Sequence, residues 1–344
     1  MAVYTELNKP FLKELADDYS LGRITSANAI PQGSINSNYL IDAAKGKFLL
    51  RIDEVKSENE LKREIDLLSF LRKHTFPCPH PMQDRMGRYH RAFNNKCVSL
   101  FKYQEGKVPA PEKLKFSQLE TIGHAIGELH VIGKAYKKGI DNRFSFERIA
   151  DLYLNVRSRL PNYFRKICRT LDDEIEYLTR YLEGKLPKGV IHGDIFSDNL
   201  LFRGEKLMAV LDFESACRGK FIFDIATAVN ALCFVRGGYS LERFRALLGG
   251  YESVRTLSLA EWDAFPNELR FSSLRFTVTR LHDFFLQPID GAQRIDKDFR
   301  EFFDRLRVLR REKEGGMEPL LMAMATGYDY RKYQKVKATE RRQA

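Results

Sequence analysis

Residues 192–199 read His-Gly-Asp-Ile-Phe-Ser-Asp-Asn, and a second acidic group follows at Asp212-Phe213-Glu214. Asp194, Asn199 and Asp212 are the groups that phosphoryl transfer from Mg·ATP needs. One carboxylate can orient an attacking hydroxyl, and two hard oxygen ligands can hold Mg²⁺ while phosphates fill its other positions. The residues between them explain the spacing. Gly189-Val190-Ile191 is a short apolar strand that runs into the loop carrying Asp194. Leu200-Leu201-Phe202 and Leu207 to Leu211 are two more apolar runs, separated by Arg203-Gly204-Glu205-Lys206, the pattern of a hairpin with a Gly-containing turn. Asn199 stands just before the first hairpin strand and Asp212 just after the second. A hairpin returns its ends to one place, so the two ligands are expected to converge.

This segment resembles the catalytic stretch of the aminoglycoside and choline phosphotransferase superfamily. Protein kinases carry His-Arg-Asp and Asp-Phe-Gly at the equivalent places; here Gly193 and Glu214 stand instead, as is common in small-molecule kinases of that superfamily. The resemblance implies an α+β fold, two-lobed and protein-kinase-like, with a strand-rich N-lobe and a mostly helical C-lobe. It also implies ATP and Mg²⁺ as cofactors and a small-molecule alcohol as acceptor. Asp194 then takes the catalytic role, orienting the hydroxyl rather than stripping its proton early, because the transition state is loose. Asn199 and Asp212 are the metal ligands. His192 and Asp224 are structural supports, Asp224 because a carboxylate opening a helix can accept amide donors from residues 192–194.

Nucleotide binding needs four further parts. A cation should reach the phosphates from an N-lobe strand, and Arg51 in Phe48-Leu49-Leu50-Arg51-Ile52 holds the place where protein kinases use lysine. Arginine is always charged and grips phosphate in a bidentate way. A carboxylate should hold that cation: Glu64 fits by position, beside the buried stripe of the first lobe's helix, with Glu60 and Glu58 as rivals. The loop Pro31 to Asn38, through Gly33, Ser34 and Asn36, can turn amide groups toward phosphate oxygens. Leu100 to Gly106 is placed for the adenine, with backbone groups of Lys102, Tyr103 and Gln104 as its partners and Phe101 in the core.

Hydrophobic periodicity places these parts on elements. Ile24–Ile30, Asn38–Ala43 and Lys47–Asp53 read as strands, and Tyr89–Phe93 and Lys96–Tyr103 as a further pair around Asn94-Asn95. Between them Ser57 to Lys73 is a helix with Ser57 as N-cap and Glu60 at the capping-box spacing. The three prolines of Phe76 to Pro81 end it. Helices are then expected around Leu119–Ile132, over Ile149–Phe164 and Thr170–Leu182, and, after the hairpin, over Phe223–Phe234, Leu241–Val254, Ala260–Phe285 and Asp296–Arg311. The corresponding domains are 1–105, a nucleotide-binding N-lobe; 106–311, a C-lobe with the catalytic loop and acceptor site; and 312–344, a basic tail.

Composition narrows the class. A chain of 344 residues has room for two lobes. Its start lacks the apolar run of a signal peptide, and its most apolar long stretch, Phe221 to Val235, is too short to span a bilayer, so no membrane segment is expected. The five cysteines are widely spaced with no Cys-x-x-Cys pair, which argues against zinc and a disulfide framework and fits a reducing cytoplasm. The net charge of +11 raises the question of nucleic acid, but +5 of it lies in the last 15 residues, and a basic tail is most often a solvated one.

The catalytic motif is silent about the acceptor. A wider resemblance speaks to it. Met-Ala-Val-Tyr-Thr-Glu at the start, Gly33 to Tyr39, Phe76 to Pro81, Asn230 to Cys233, Leu248 to Arg255 and Leu274-Arg275-Phe276 through Asp283 are similar to the kinase-fold type of homoserine kinase, from Met1 to about Leu309. That family implies L-homoserine as acceptor and a place in threonine biosynthesis. Homoserine carries an ammonium and a carboxylate, so its site should offer opposite charges; Arg275, Arg280 and Asp283 are candidates, with Arg280 and Asp283 neighbours on one helix. Glu214, where that family commonly has an aromatic, is the candidate that would suit another cationic acceptor. Choline, ethanolamine, hydroxylysine or an aminoglycoside thus remain as alternatives, as does a non-catalytic nucleotide- or RNA-binding protein. Oligomeric state is not legible.

Overall fold

Alternation of side chains along Gly46–Asp53 sends Phe48, Leu50 and Ile52 to one face of a strand and Leu49, Arg51 and Asp53 to the other. The first set is buried with Phe11, Leu15, Tyr39, Ile41 and Leu100 in one apolar core; the second carries charge. The computed structural model describes residues 5–30, 36–182, 184–286 and 297–311. Gly33, Ser34 and the tail from residue 312 lie outside them. The described residues divide into two units: those up to Lys107, with 208–214 and Lys297, form the first, and those within 108–207, 215–286 and 298–311 form the second.

The first unit opens with α1 (Lys9–Asp18), then β1 (Ile24–Ala29), β2 (Ser37–Ala43), β3 (Gly46–Asp53), α2 (Glu58–Lys73), β4 (His80–Pro81), β5 (His90–Phe93) and β6 (Lys96–Lys102). The strands form an antiparallel sheet in the order β1-β2-β3-β6-β4, with β5 also paired to β6. In register, Arg51 faces Asn38 on one side and Ser99 on the other. Helix α2 begins at the expected capping box: Ser57 Oγ accepts from the Glu60 amide and the Glu60 carboxylate accepts from the Ser57 amide. Helix α1 was not anticipated. Its start has a local signal, since Asn8 Oδ1 accepts from the Phe11 amide and Pro10 follows immediately. The proline-rich stretch ends α2 as expected, yet part of it enters the sheet edge as β4.

The second unit holds α3 (Phe116–Gly133), α4 (Phe146–Arg157), α5 (Arg165–Tyr181) and β7 (Lys188–Ile191). The hairpin follows as β8 (Leu200–Arg203) and β9 (Lys206–Val210), with Gly204 at φ 64° in its turn. Next come β10 (Cys217–Lys220), antiparallel to β7, then α6 (Phe221–Leu232), the short pair β11 (Phe234–Val235) and β12 (Gly238–Tyr239), α7 (Leu241–Glu252), α8 (Leu259–Leu286) and α9 (Arg300–Arg311). The helix expected over Ile149–Phe164 is shorter: α4 stops at Arg157, because Pro161 lacks the amide a continuing helix would use, and a single 3-10 turn at Asn162–Phe164 leads into α5. Every residue of α6 is buried, so it is a core helix with no solvent face. No helix of the described residues is long and apolar enough to cross a membrane.

Helices α3 and α7 cross at glycines. A Cβ on Gly123 would lie 1.8 Å from the Leu247 carbonyl oxygen, and one on Gly250 would lie 1.9 Å from that of Glu120. Ala in place of Gly inside a helix ordinarily stabilises by up to about 1 kcal/mol. Here the backbones would have to part, and overpacking costs about 1–3 kcal/mol. Gly250→Ala is therefore expected to lower the denaturation midpoint; a midpoint at or above that of the wild type would contradict the close crossing.

Candidate active site

In the second unit, β7 delivers residues 192–194 into a loop fastened from below. The His192 and Gly193 amides both donate to the Asp224 carboxylate, at 2.7 Å each. Gly193 has φ 75°, and a Cβ there would meet the Ser215 carbonyl oxygen at 2.9 Å, so the position requires glycine. The His192 ring accepts from the Asp194 amide at Nδ1, 3.2 Å away. Asp224 is wholly buried in the first turn of α6. Burial would raise its carboxyl, but the hydrogen bonds from His130 and the loop amides outweigh that and hold it below the usual carboxylate value.

Below Asp224 runs a chain that sequence reasoning missed. His130 Nε2 lies 3.2 Å from Asp224 Oδ2 and its Nδ1 lies 2.9 Å from the Tyr251 hydroxyl. Burial lowers the His130 pKa, so a neutral ring donates to Asp224 and accepts from Tyr251. Arg255 donates to the Tyr251 oxygen at 2.7 Å and to both oxygens of Glu261 at 2.8 and 2.9 Å. His130 stands on the buried stripe of α3, and nothing local in the sequence connects it to Tyr251, 121 residues later.

The same loop presents Asp194. The Asn199 side-chain amide donates to the Asp194 carbonyl at 2.8 Å and to its carboxylate at 3.1 Å. That leaves Asn199 Oδ1 as an oxygen with no hydrogen bond among the described residues, a donor suited to a hard cation. Arg275, from α8, approaches Asp194 Oδ1 at 3.5 Å. It is 3 % exposed, its guanidinium carbon lies 4.0 Å from the Phe144 ring and 3.7 Å from the Phe276 ring, and its Nε has no hydrogen-bond partner. Burial lowers its pKa to about 10, although Asp194 pulls the other way. Arg280 and Asp283 do not pair as expected. Arg280 turns to the start of α9, which packs along α8: it donates to the Asp298 carbonyl, two residues before the helix, at 2.7 Å and to Glu301 in its first turn at 2.8 Å; Asp283 Oδ1 lies 3.3 Å from His282 Nδ1.

In the first unit, the charged face of β3 meets α2. Arg51 holds Glu64 through both terminal nitrogens, at 2.9 and 3.1 Å, with its guanidinium 5.1 Å from the buried Phe101 ring. Glu58 and Glu60 are engaged elsewhere, with Lys62 and with the helix cap. Arg51 and Lys56 overcome the burial of Glu64 and hold its carboxyl down at about 2. Asp212 sits at φ 59°, an uncommon setting for a residue with a side chain, and its Oδ1 accepts from the Glu214 amide at 3.3 Å. The Glu214 carboxylate accepts from Asn36 Nδ2 and from Lys56, at 2.7 Å each. Lys56, which sequence reasoning passed over, is announced only by the density of charge in Asp53-Glu54-Val55-Lys56.

At the end of the sheet, Lys102 belongs to β6, and the Tyr103 amide is spent on the Lys47 carbonyl at 3.1 Å. Gln104 lies beyond the last strand pairing, with its side chain 3.5 Å from the Cys78 carbonyl. Among the described residues no group of three or more His, Cys, Asp or Glu could hold a metal by itself. Taken each in its own unit, Asn199 Oδ1 and the Asp212 carboxylate are hard oxygen donors of the kind that Mg²⁺ takes.

A family model for a phosphotransferase enzyme family matches residues 26–257. The homoserine kinase of Parvibaculum lavamentivorans is 33 % identical over 313 residues, covering 90 % of this chain and 96 % of that protein. The homoserine kinase of Agrobacterium fabrum is 32 % identical over 312 residues, with coverage of 90 % and 96 %. Among solved structures, that of amicoumacin kinase hAmiN in complex with AMP-PNP, Ca²⁺ and Ami superimposes with a TM-score of 0.68 at 16 % identity, over 90 % of this chain and 93 % of that one. The fold, an antiparallel sheet followed by helices around a catalytic hairpin, is thus that of the small-molecule kinases. With the family pattern matched across both the sheet and the helices that hold the catalytic loop, the chain belongs to the phosphotransferase enzyme family.

Proposed function

We propose that the protein is an Mg·ATP-dependent kinase that phosphorylates the hydroxyl of L-homoserine, the step that commits homoserine to threonine. Two relatives bearing that activity in their names match nearly end to end. The observation that carries the reading is Arg275: a buried cation beside Asp194, sandwiched by Phe144 and Phe276, with one nitrogen unpaired. A buried charge that is incompletely paired is costly, and an α-carboxylate on the acceptor would complete it. Choline and ethanolamine carry a positive charge and no carboxylate, so the same guanidinium would repel them.

In this reading Asp194 orients the acceptor hydroxyl. Its oxygen bonds to the γ-phosphorus as the bond to the β-phosphate oxygen breaks, and the proton passes to Asp194. Asn199 and Asp212 would hold Mg²⁺, whose charge would offset that of the phosphates. Arg51, held by Glu64, faces the phosphates together with the loop through Gly33, Ser34 and Asn36. The Gln104 amide, free of the sheet, is the adenine donor within the stretch Lys102–Gln104. His192 and Asp224 keep the Asp194 loop in place. An enzyme that spends ATP works where ATP is, so its proposed compartment is the cytoplasm.

The test is ADP release with L-homoserine, choline, ethanolamine, hydroxylysine and an aminoglycoside as acceptors. L-Homoserine should give the highest kcat/KM, and Arg275→Met should raise KM for homoserine by about 10–100-fold, the scale of one charge-assisted contact. Turnover of another acceptor with none of homoserine would remove the homoserine reading and leave the kinase one.

A further inference from the structure

Five charged side chains meet on the inner face of the first unit's sheet: Arg51 and Lys56 against Asp53, Glu64 and Glu214. Two cations face three carboxylates, so the cluster carries an excess of negative charge if all are ionised. The strain shows at Asp53, which is fully buried, makes no hydrogen bond through either oxygen, and lies 3.4 Å from Arg51 Nε and 3.6 Å from Lys56 Nζ. Such a cluster cannot meet a triphosphate unless one of its pairs opens.

The two cations differ in which pair could open. Arg51 is committed: both terminal nitrogens are on Glu64 and its plane lies against Phe101. Releasing it would break a bidentate pair and leave Glu64 buried with less charge to answer it. Lys56 is a point charge on a flexible stem, 14 % exposed, shared between Glu64 Oε2 at 2.6 Å and Glu214 Oε1 at 2.7 Å. It can leave Glu214 while keeping Glu64. Glu214 would retain Asn36. Burial and Arg51 press on the Lys56 ammonium, but Glu64, Glu214 and Asp53 outweigh them and raise its pKa, so the charge is present at neutral pH.

We propose that Lys56 is the cation that contacts the nucleotide's phosphates, exchanging Glu214 for a phosphate oxygen, while Arg51 serves mainly to hold Glu64. This rests on the Mg·ATP reading above and reassigns the direct contact from the strand arginine to a residue of the β3–α2 connection. Glu214 is then the resting partner of Lys56, two residues beyond Asp212, rather than an acceptor-binding group.

The experiment is calorimetric titration of the full chain with Mg·AMP-PNP and, separately, with adenosine. Lys56→Gln should weaken Mg·AMP-PNP binding by about 10–100-fold, leave adenosine binding unchanged, and be partly rescued in Lys56→Arg. The double variant Lys56→Gln/Glu214→Gln separates contact from simple neutralisation. If Lys56 contacts phosphate, the double variant stays weak; if Lys56 only balances Glu214, it recovers wild-type affinity and the proposal falls. Equal affinity of Lys56→Gln and wild type also overturns it, while leaving the kinase reading intact. Failure of the wild type to bind Mg·AMP-PNP overturns both. Melting curves of each variant confirm that the titrated protein is folded.

Discussion

Asp194→Asn is expected to lower kcat by about 10²–10⁴-fold, the range that a positioned proton acceptor contributes, with little change in KM. The substitution keeps shape and removes charge. Asn199 still has the residue-194 backbone carbonyl, 2.8 Å away, to hold its amide. The His192 and Gly193 amides still have Asp224. The loop should therefore stay in place, although the melting temperature should fall, because the buried Arg275 guanidinium loses its carboxylate partner. What is lost is the carboxylate that takes the acceptor proton, and with it the one negative partner of the buried Arg275 guanidinium. Steady-state ADP release at saturating substrates, beside a melting curve, separates the two effects. A variant with more than a tenth of wild-type turnover would remove Asp194 from the mechanism.

Asp224→Ala is expected to damage both stability and rate. Removing one partner of a buried charged network leaves the rest uncompensated, at a cost of about 3–5 kcal/mol. Here the orphans are two loop amides and the His130 Nε2–H. Loss of the two amide anchors also frees the segment that carries Asp194, so kcat should fall even in conditions where the variant is folded. Hydrogen exchange reads the latch directly: the His192 and Gly193 amides should lose protection relative to neighbouring β7. If their protection survived in the folded variant, Asp224 would not be the latch. The sign with pH follows from the lowered carboxyl. Its contribution is present above the unfolded value of about 3.9 and is lost as the pH falls through the lower folded value.

How much of this was legible depended on how local each feature is. The capping box at Ser57 and Glu60 spans four residues, and the hairpin around Gly204 is announced by two apolar runs and a turn. Arg51 and Glu64 lie on consecutive elements, so their bidentate pairing follows from a short-range pattern. Arg280 shows the opposite case. Helical spacing offered it Asp283, yet it donates to the Asp298 carbonyl, just before α9, and to Glu301 within that helix. The chain from Asp224 through His130 and Tyr251 to Glu261 joins four regions, and no window of sequence contains it. Helix α1 had its Asn-Lys-Pro start in plain view; its polar residues outnumber the two buried ones, Phe11 and Leu15, and hid the period. Glu214 was conspicuous for following Asp212-Phe213, but sequence position could not reveal that Lys56 and Asn36 already occupy it.

The segment 208–214 belongs with the first unit although both its neighbours in sequence belong to the second. It brings Val210, whose amide donates to the Pro77 carbonyl at 2.8 Å, Phe213, whose ring meets Phe76 edge-on at 6.4 Å, and Glu214, the partner of Lys56. Synthesis runs from the N-terminus, so a chain grown to residue 107 has every strand of the sheet but none of these contacts. Residues 108–207, all of them in the second unit, must be made before these contacts can form. The order of birth therefore differs from the order of assembly, and the charge cluster around Arg51 and Lys56 gains Glu214 only after the loop bearing Asp194 has itself been made.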